Sequence, residues 1–478
     1  MNRAAKAKII NRGFAIVLLT GMLLSPKAYG QSYSYPLKLS NNSRHLVDQS
    51  GKPFFWMGDS AWSLIAQLSR EDAALFLEDR RQKGFSVVMA SLIEHQFSSN
   101  PPRNYYGTLP FSGQNFTTPN ESYFAHADYV ISQAAQRGII VLLFPLYLGY
   151  GCGSQGWCAE VASASMSDMR AWGRYVGNRY RNYDNIVWAI GGDTDPTPVR
   201  DKVREFVNGV RDNDTRHLFT THNQPESFAI TPWPNESWLN INNVYSYSYS
   251  LYQYCAIAYN RSPVMPFFLL ESTYENEHGA TAVQLRMQAY WPPLTGGIGS
   301  IFGNCPIWHF GSAASWCGST NWKGQLSSPG SVSMMYVQKL FTSREWHLLV
   351  PDLNHTAMTA GYGSWGDSSY VTAALTSNGH TLIAYLTSSR QVTVDMSKIS
   401  GTQARGWWYK PADGTTTPIG VFATSGSRGF TPPSSGDWVL VVDDASLNLP
   451  APGTQIYPPA PPTGLKIIKH PAGLPGPR

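Results

Sequence analysis

From residue 54 the chain alternates short apolar runs, rich in β-branched and aromatic residues, with longer amphipathic stretches. Short runs bounded by turn residues read as buried strands. They fall at 54–59, 85–91, 139–144, 186–190, 218–221, 243–249, 265–271 and 299–303. Between the first two, Ser69-Arg-Glu-Asp72 is a helix-opening signal, and the helix it opens runs to Lys83-Gly84. Further helices are expected at 122–138, 167–180, 199–211, 282–290 and 333–346. Gly84 and Gly138 stand where a helix needs its C-terminal cap before a strand. The fifth and sixth units carry weak helix signals. Eight strand–helix units in series predict an α/β fold, a (β/α)8 TIM barrel.

Weak alternation over 35–49, around Asn41-Asn42, predicts a short hairpin ahead of the barrel. Past residue 352 the pattern changes to short strands at 370–375, 380–386, 391–395, 404–409 and 438–443, separated by Gly- and Ser-rich turns. That grammar predicts a C-terminal antiparallel β-sandwich. Residues 448–478 are Pro-rich and lack hydrophobic periodicity, which reads as an extended tail. The expected division is therefore 1–30, a signal peptide; 31–350, the barrel; 351–447, the sandwich; and 448–478, the tail.

The leader reading rests on a basic start, an apolar run from Phe14, and the small-residue pattern Ala28-Tyr29-Gly30, which places cleavage near Gln31. The run is too short to span a bilayer comfortably, so no membrane association is expected after cleavage. Residues 1–30 hold five of the 36 basic residues and no acid. The formal charge of +5 then vanishes: 31 basic residues balance 31 acidic ones, and nothing steers the chain to nucleic acid. Export, to the cell exterior or the periplasm, permits disulfides. Cys152 with Cys158, and Cys305 with Cys317, are spaced as local loop staples and leave Cys255 over, five reduced thiols being the alternative. Charged residues are sparse at 14%, while 16 Trp and 26 Tyr suit a protein that stacks sugar rings. A large aromatic core produces the same composition.

The chemistry concentrates at strand ends. Asn185-Ile-Val-Trp-Ala-Ile-Gly-Gly-Asp193 delivers a carboxylate at the C-terminal end of the fourth strand, and the seventh delivers Glu271. In a parallel barrel those ends share one face. Two carboxylates on one face is the arrangement glycoside hydrolysis requires. Taken singly, each acid also reads as a cap of the following helix. There is no His-Glu-x-x-His, no Gly-x-Ser-x-Gly and no dinucleotide fingerprint, so no metal or cofactor is expected. Further candidates for binding substrate are Asp59, Trp62, Glu94, His95, His222, Tyr245, Tyr274, Glu275 and Trp308. Each has a plainer reading: Asp59 as a helix cap, the histidines as buried structural groups, the tryptophans as core. Glu275 is also the alternative to Glu271 as the working acid. In the run with tyrosine at 245, 247 and 249, Tyr245 and Tyr247 are expected to face opposite ways, so that only one, taken as Tyr245, points into the barrel.

Several blocks together resemble one family. Lys52-Pro-Phe-Phe-Trp-Met-Gly-Asp-Ser-Ala-Trp62, Lys83-Gly-Phe-Ser-Val-Val, the Asn185–Asp193 block and Glu271-Ser-Thr-Tyr-Glu275 are similar to blocks of the apiosidase-like glycoside hydrolases. Trp407-Trp-Tyr-Lys-Pro and Gly436-Asp-Trp-Val-Leu fit the collagen-binding-type β domain that ends members of that family. The resemblance implies Asp193 as acid/base and Glu271 as nucleophile. It also implies an enzyme that removes a pentofuranosyl, apiosyl-like unit from plant cell-wall-type polysaccharide by a retaining mechanism; a monomer, exported as the leader indicates, is the expected form. An Asp stands where retaining barrel hydrolases usually carry Glu on the fourth strand. The rival is a carbohydrate- or matrix-binding adhesive protein with an inactive barrel.

Overall fold

The computed structural model describes residues 33–312, 317 and 319–454. The expected signal peptide, residues 1–30, and most of the Pro-rich tail lie outside them. A two-stranded hairpin, Lys38–Leu39 with Leu46–Val47, precedes the barrel as expected.

Eight parallel strands follow: β1 Trp56–Ser60, β2 Val87–Ser91, β3 Ile140–Phe144, β4 Ile186–Gly191, β5 Phe219–His222, β6 Asn242–Tyr245, β7 Phe267–Glu271 and β8 Gly299–Phe302. Consecutive strands pair except β5 with β6, and β8 returns to β1 with Ser300 opposite Met57. The (β/α)8 fold is thus present. Its seam lies between β5 and β6, where the Asn243 side chain and backbone bonds to Phe219 O stand in place of a regular ladder. The Asn243 amide donates to Thr220 Oγ1 at 3.0 Å and to the Thr221 carbonyl at 2.5 Å, and the Ile241 amide donates to Phe219 O at 3.1 Å.

Seven helices cover the ring: α1 Arg70–Gln82, α2 Glu121–Gln136, α3 Met166–Tyr180, α4 Arg200–Arg211, α5 Tyr252–Tyr259, α6 Ala282–Leu294 and α7 Pro329–Thr342. The start of α1 follows its sequence signal, with the Ser69 side chain accepting from the Asp72 amide at 3.2 Å. The fifth unit departs from expectation. Among the described residues no helix lies between β5 and β6, and the short strand Ser227–Phe228 pairs antiparallel with β6 instead.

Strand parity sorts the core. Val87, Met89, Ile140, Leu142, Val187 and Ala189 belong to one cluster, inside the ring. Their alternate neighbours Val88, Ala90, Val141, Leu143, Ile186 and Trp188 pack with helix residues such as Phe76 and Trp172.

The C-terminal unit has two antiparallel sheets. Strands β9 Leu349–Pro351, β11 Thr372–Thr376, β12 Thr381–Leu386, β17 Trp438–Asp444, β14 Gln403–Tyr409 and β15 Thr416–Ala423 form one sheet in that order. Strands β10 Met358–Ala360, β13 Val392–Asp395 and β16 Ser427–Phe430 form the other. The larger sheet has two buried faces. Leu382, Ala384, Leu440 and Val442 pack toward the small sheet, while Ile383, Tyr385, Val439 and Val441 join the barrel cluster. Two buried ion pairs fasten this docking: Arg286 of α6 to Asp437, and Arg344 to Asp443, each bidentate at 2.7–2.9 Å. Tyr290 stacks on Tyr385 between them, with ring centroids 4.7 Å apart.

Candidate active site

The strand ends open into a cavity of about 240 Å³ lined by Trp62, Ser91, Phe97, Tyr147, Tyr150, Gln155, Asp193, Glu271, Tyr274, Glu277 and Trp308. Asp193 and Glu271 therefore meet in one place, from the ends of β4 and β7.

Two glycines deliver Asp193. Gly191 and Gly192 have φ of +97° and +157°, and a Cβ on Gly192 would fall 2.5 Å from the Tyr147 ring. Only glycine lets the backbone leave β4 this way and pass so close. The carboxylate then receives two phenols: Tyr245 OH donates to Oδ1 at 2.7 Å and Tyr147 OH to Oδ2 at 3.3 Å.

Glu271 is buried, and its Oε2 lies 2.7 Å from Nε2 of the fully buried His222, which closes β5. Burial lifts the Glu271 carboxyl above its usual range; the His222 hydrogen bond pulls it back, and the nearby charge of Asp193 adds to the lift. Burial opposes the His222 cation, yet the hydrogen bond and charge of Glu271 prevail and leave the imidazole pKa raised. Tyr274 reaches across to β1, with its hydroxyl 2.6 Å from Ser60 Oγ and accepting from Trp62 Nε1 at 3.2 Å. Burial pushes the Tyr274 phenol far up, so it remains a hydrogen-bond donor.

The sequence candidates divide. Asp193, Glu271, Trp62, Tyr274 and Trp308 line the cavity, whereas His222 and Tyr245 stand behind the two carboxylates and hold them. Four candidates are not on the cavity wall. Asp59 points outward from β1 into a buried ion pair with Arg80 of α1, since its neighbours Gly58 and Ser60 take the inward positions. Glu94 is buried behind Phe97, whose amide it accepts at 3.2 Å. His95 faces Glu160 at 3.1 Å and the edge of Trp157. Glu275 is an anchor for α7: it accepts from the Gly330 amide at 2.7 Å, Asn304 Nδ2 at 2.8 Å and Ser328 Oγ at 2.5 Å. Those bonds occupy both carboxyl oxygens and remove it as a rival to Glu271.

Tyr147, Tyr150, Phe97, Gln155 and Glu277 were not singled out in the sequence. Tyr147 and Tyr150 stand just ahead of the loop that the Cys152–Cys158 disulfide closes. Glu277 accepts from Trp308 Nε1 at 2.9 Å, and its only sequence signal is its place two residues past Glu275. Tyr247 is a further addition. β6 ends at Tyr245, and residues two apart share a side, so both rings turn the same way rather than opposite ways, with hydroxyls 3.1 Å apart. The second disulfide joins Cys305 to Cys317, and Cys255 is free and buried. Among the described residues one grouping has metal-ligand character, Cys305, His309 and Cys317, but its two sulfurs are bonded to each other.

Residues 40–347 match the family described as "Apiosidase-like, catalytic domain", and residues 350–443 the one described as "Putative collagen-binding domain of a collagenase". One solved structure, described as a glycoside hydrolase, is 25% identical with a TM-score of 0.77, covering 87% of this chain and 99% of its own. A glycoside hydrolase family 5 protein from Bacteroides vulgatus is 24% identical with a TM-score of 0.79, covering 90% and 99%. A further structure from that organism, at 13% identity and a TM-score of 0.66, covers 87% and 83% and shares the fold. No curated protein matches the chain.

Proposed function

The chain belongs to the apiosidase-like family and is a glycoside hydrolase, and on that premise we propose that it removes a pentofuranosyl, apiosyl-like unit from plant cell-wall-type polysaccharide with retention of configuration. The observation that carries this reading is the convergence of Asp193 and Glu271 on one cavity, each fixed by its own donors. In the first step a Glu271 carboxylate oxygen attacks the anomeric carbon as Asp193 passes its proton to the departing glycosidic oxygen. In the second, Asp193 takes a proton from water, which attacks the same carbon and releases Glu271. Trp62, Phe97, Tyr147 and Trp308 supply apolar faces for the sugar ring, and Glu277 supplies an acceptor for its hydroxyls. The compact cavity favours a single terminal unit. The reading includes export, in keeping with two disulfides in the described residues and the basic, apolar N-terminal sequence.

The test is sugar release from a panel of plant polysaccharides and aryl pentofuranosides, with the product anomer followed by NMR. Wild type is expected to release one sugar with retained configuration, and Asp193→Ala and Glu271→Ala to release none while remaining folded. Azide separates the roles. It should restore Asp193→Ala through a glycosyl azide of retained configuration, and one of inverted configuration from that variant would exchange the two assignments. Turnover in either alanine variant at the wild-type rate would refute the site.

A further inference from the structure

The segment leaving β6 carries tyrosine at 245, 247, 249 and 252. Tyr245 touches Asp193, and Tyr247 touches Tyr245, so the series starts at the cavity. Tyr247 is 41% exposed and Tyr249 is 73% exposed. Serines alternate with them, and Ser248 Oγ lies 3.2 Å from Ser250 Oγ. Tyr252, the first residue of α5, is buried and grips the sandwich. Its hydroxyl accepts from the Gly366 amide at 2.7 Å and donates to Asp367 O at 3.0 Å. Its ring stacks on Tyr370 at 4.9 Å. This clasp fixes Trp365, whose ring meets Tyr252 edge-on at 5.0 Å and Tyr370 at 5.2 Å. Trp365 nonetheless remains 48% exposed.

A loop of the sandwich is thus held on the face of the barrel where the strands end, five residues along the chain from Tyr247. Even fully extended, five residues span at most about 17 Å, and the Leu251 amide bonding back to Ser248 O shortens the path. Exposed aromatic rings interleaved with hydroxyls, on a backbone that Glu226 anchors at Ser246 Oγ and the Tyr247 amide, match the two surfaces of a sugar: its C–H faces and its hydroxyl rim. An aromatic ring with one wet side offers apolar area at small ordering cost.

We propose that Tyr247, Tyr249 and Trp365 form a binding platform for the polysaccharide chain that carries the cleaved unit, with Trp365 supplied by the C-terminal domain. The proposal rests on the hydrolase reading above. It gives the sandwich a part in selecting polymeric substrate, beyond its packing on the barrel.

Binding is tested apart from catalysis, in the full chain with Glu271→Gln as the parent, by affinity electrophoresis through gels cast with pectin, xylan or mannan. The parent is expected to be retarded in at least one gel. Adding Trp365→Ala or Tyr249→Ala should weaken that retardation by about tenfold, the scale of one lost aromatic contact, and Trp365→Phe should restore much of it. Tyr249→Ala keeps the test valid if Trp365→Ala unfolds. On an active background, Trp365→Ala should lower kcat/KM for polymer relative to aryl pentofuranoside by a similar factor. A parent that is not retarded in any gel, variants that migrate like the parent, or an equal fall on both substrates would each overturn the platform. Absence of sugar release by wild type, in contrast, would count against the hydrolase reading and leave the electrophoresis to stand on its own.

Discussion

Replacing His222 with alanine removes the donor 2.7 Å from Glu271 Oε2, a donor that is itself fully buried behind the cavity wall. A hydrogen bond to a charged group is worth about 1.5–3 kcal/mol. At about 1.4 kcal/mol per factor of ten, kcat/KM near neutral pH should fall roughly 10- to 150-fold. The direction of the pH effect follows from the same bond. Burial already raises the Glu271 pKa, and the His222 hydrogen bond opposes that rise by favouring the carboxylate. Without the bond the pKa goes higher still. If Glu271 must be ionised to attack, activity is lost as pH falls through that pKa, so the acid limb of the profile moves to higher pH. The assay is kcat/KM for an aryl pentofuranoside across the acid and neutral range, for wild type, His222→Ala and His222→Gln. Glutamine can still donate and should recover part of the loss. An acid limb that stays in place in His222→Ala refutes the argument. Movement of the basic limb instead would make Glu271 the proton donor and Asp193 the nucleophile.

The remaining expectations concern stability and the second carboxylate. Tyr245→Phe deletes the 2.7 Å donor to Asp193 Oδ1 and should lower kcat/KM about tenfold, equivalent to one net hydrogen bond of roughly 1–1.5 kcal/mol, with the melting temperature as a control for folding. Arg344→Met leaves Asp443 buried without its partner and should cost about 3–5 kcal/mol in chemical denaturation; a loss under about 1 kcal/mol would mean the pair does not hold the sandwich to the barrel. Burial, partly offset by Arg80, pushes Asp59 from 3.8 up to about 6. The folded protein then keeps a proton that the unfolded chain releases, so this group's contribution is full below about pH 4 and declines by up to about 3 kcal/mol as pH rises through 6. Urea denaturation at several pH values should show wild type losing stability relative to Asp59→Asn across that window, and a constant difference would refute it.

The elements that were legible in the sequence are those whose signals are local. α1 starts just after its N-cap Ser69 because that side chain and the acidic first turn lie within four residues of one another. The two carboxylates were legible for a different reason: a parallel barrel sends every strand end to one face, so any acid there is a candidate. Parity was not legible. Asp59 and Ser60 are adjacent at the end of β1, yet one faces Arg80 outside and the other Tyr274 inside, and only the register of the closed sheet decides which. Glu275 misled in another way, because its partners Ser328 and Gly330 lie more than fifty residues away. β15 was missed because none of its residues is buried, which leaves no alternation to read.

The fifth unit joins these points to the site. β5 carries no following helix, and the Asn243 side chain and backbone bonds to Phe219 O stand in place of a regular ladder between β5 and β6. Those same strands end in His222 and Tyr245, the residues that hold Glu271 and Asp193. The two rings also meet each other, 5.1 Å between centroids. The stretch with the weakest helix signals therefore supplies the support for both carboxylates. A strand edge that is not committed to a ladder leaves its end residues to be placed by side-chain hydrogen bonds. Here one such bond ends on each carboxylate, His222 on Glu271 and Tyr245 on Asp193, so the register of β6 against β5 sets the geometry of both at once.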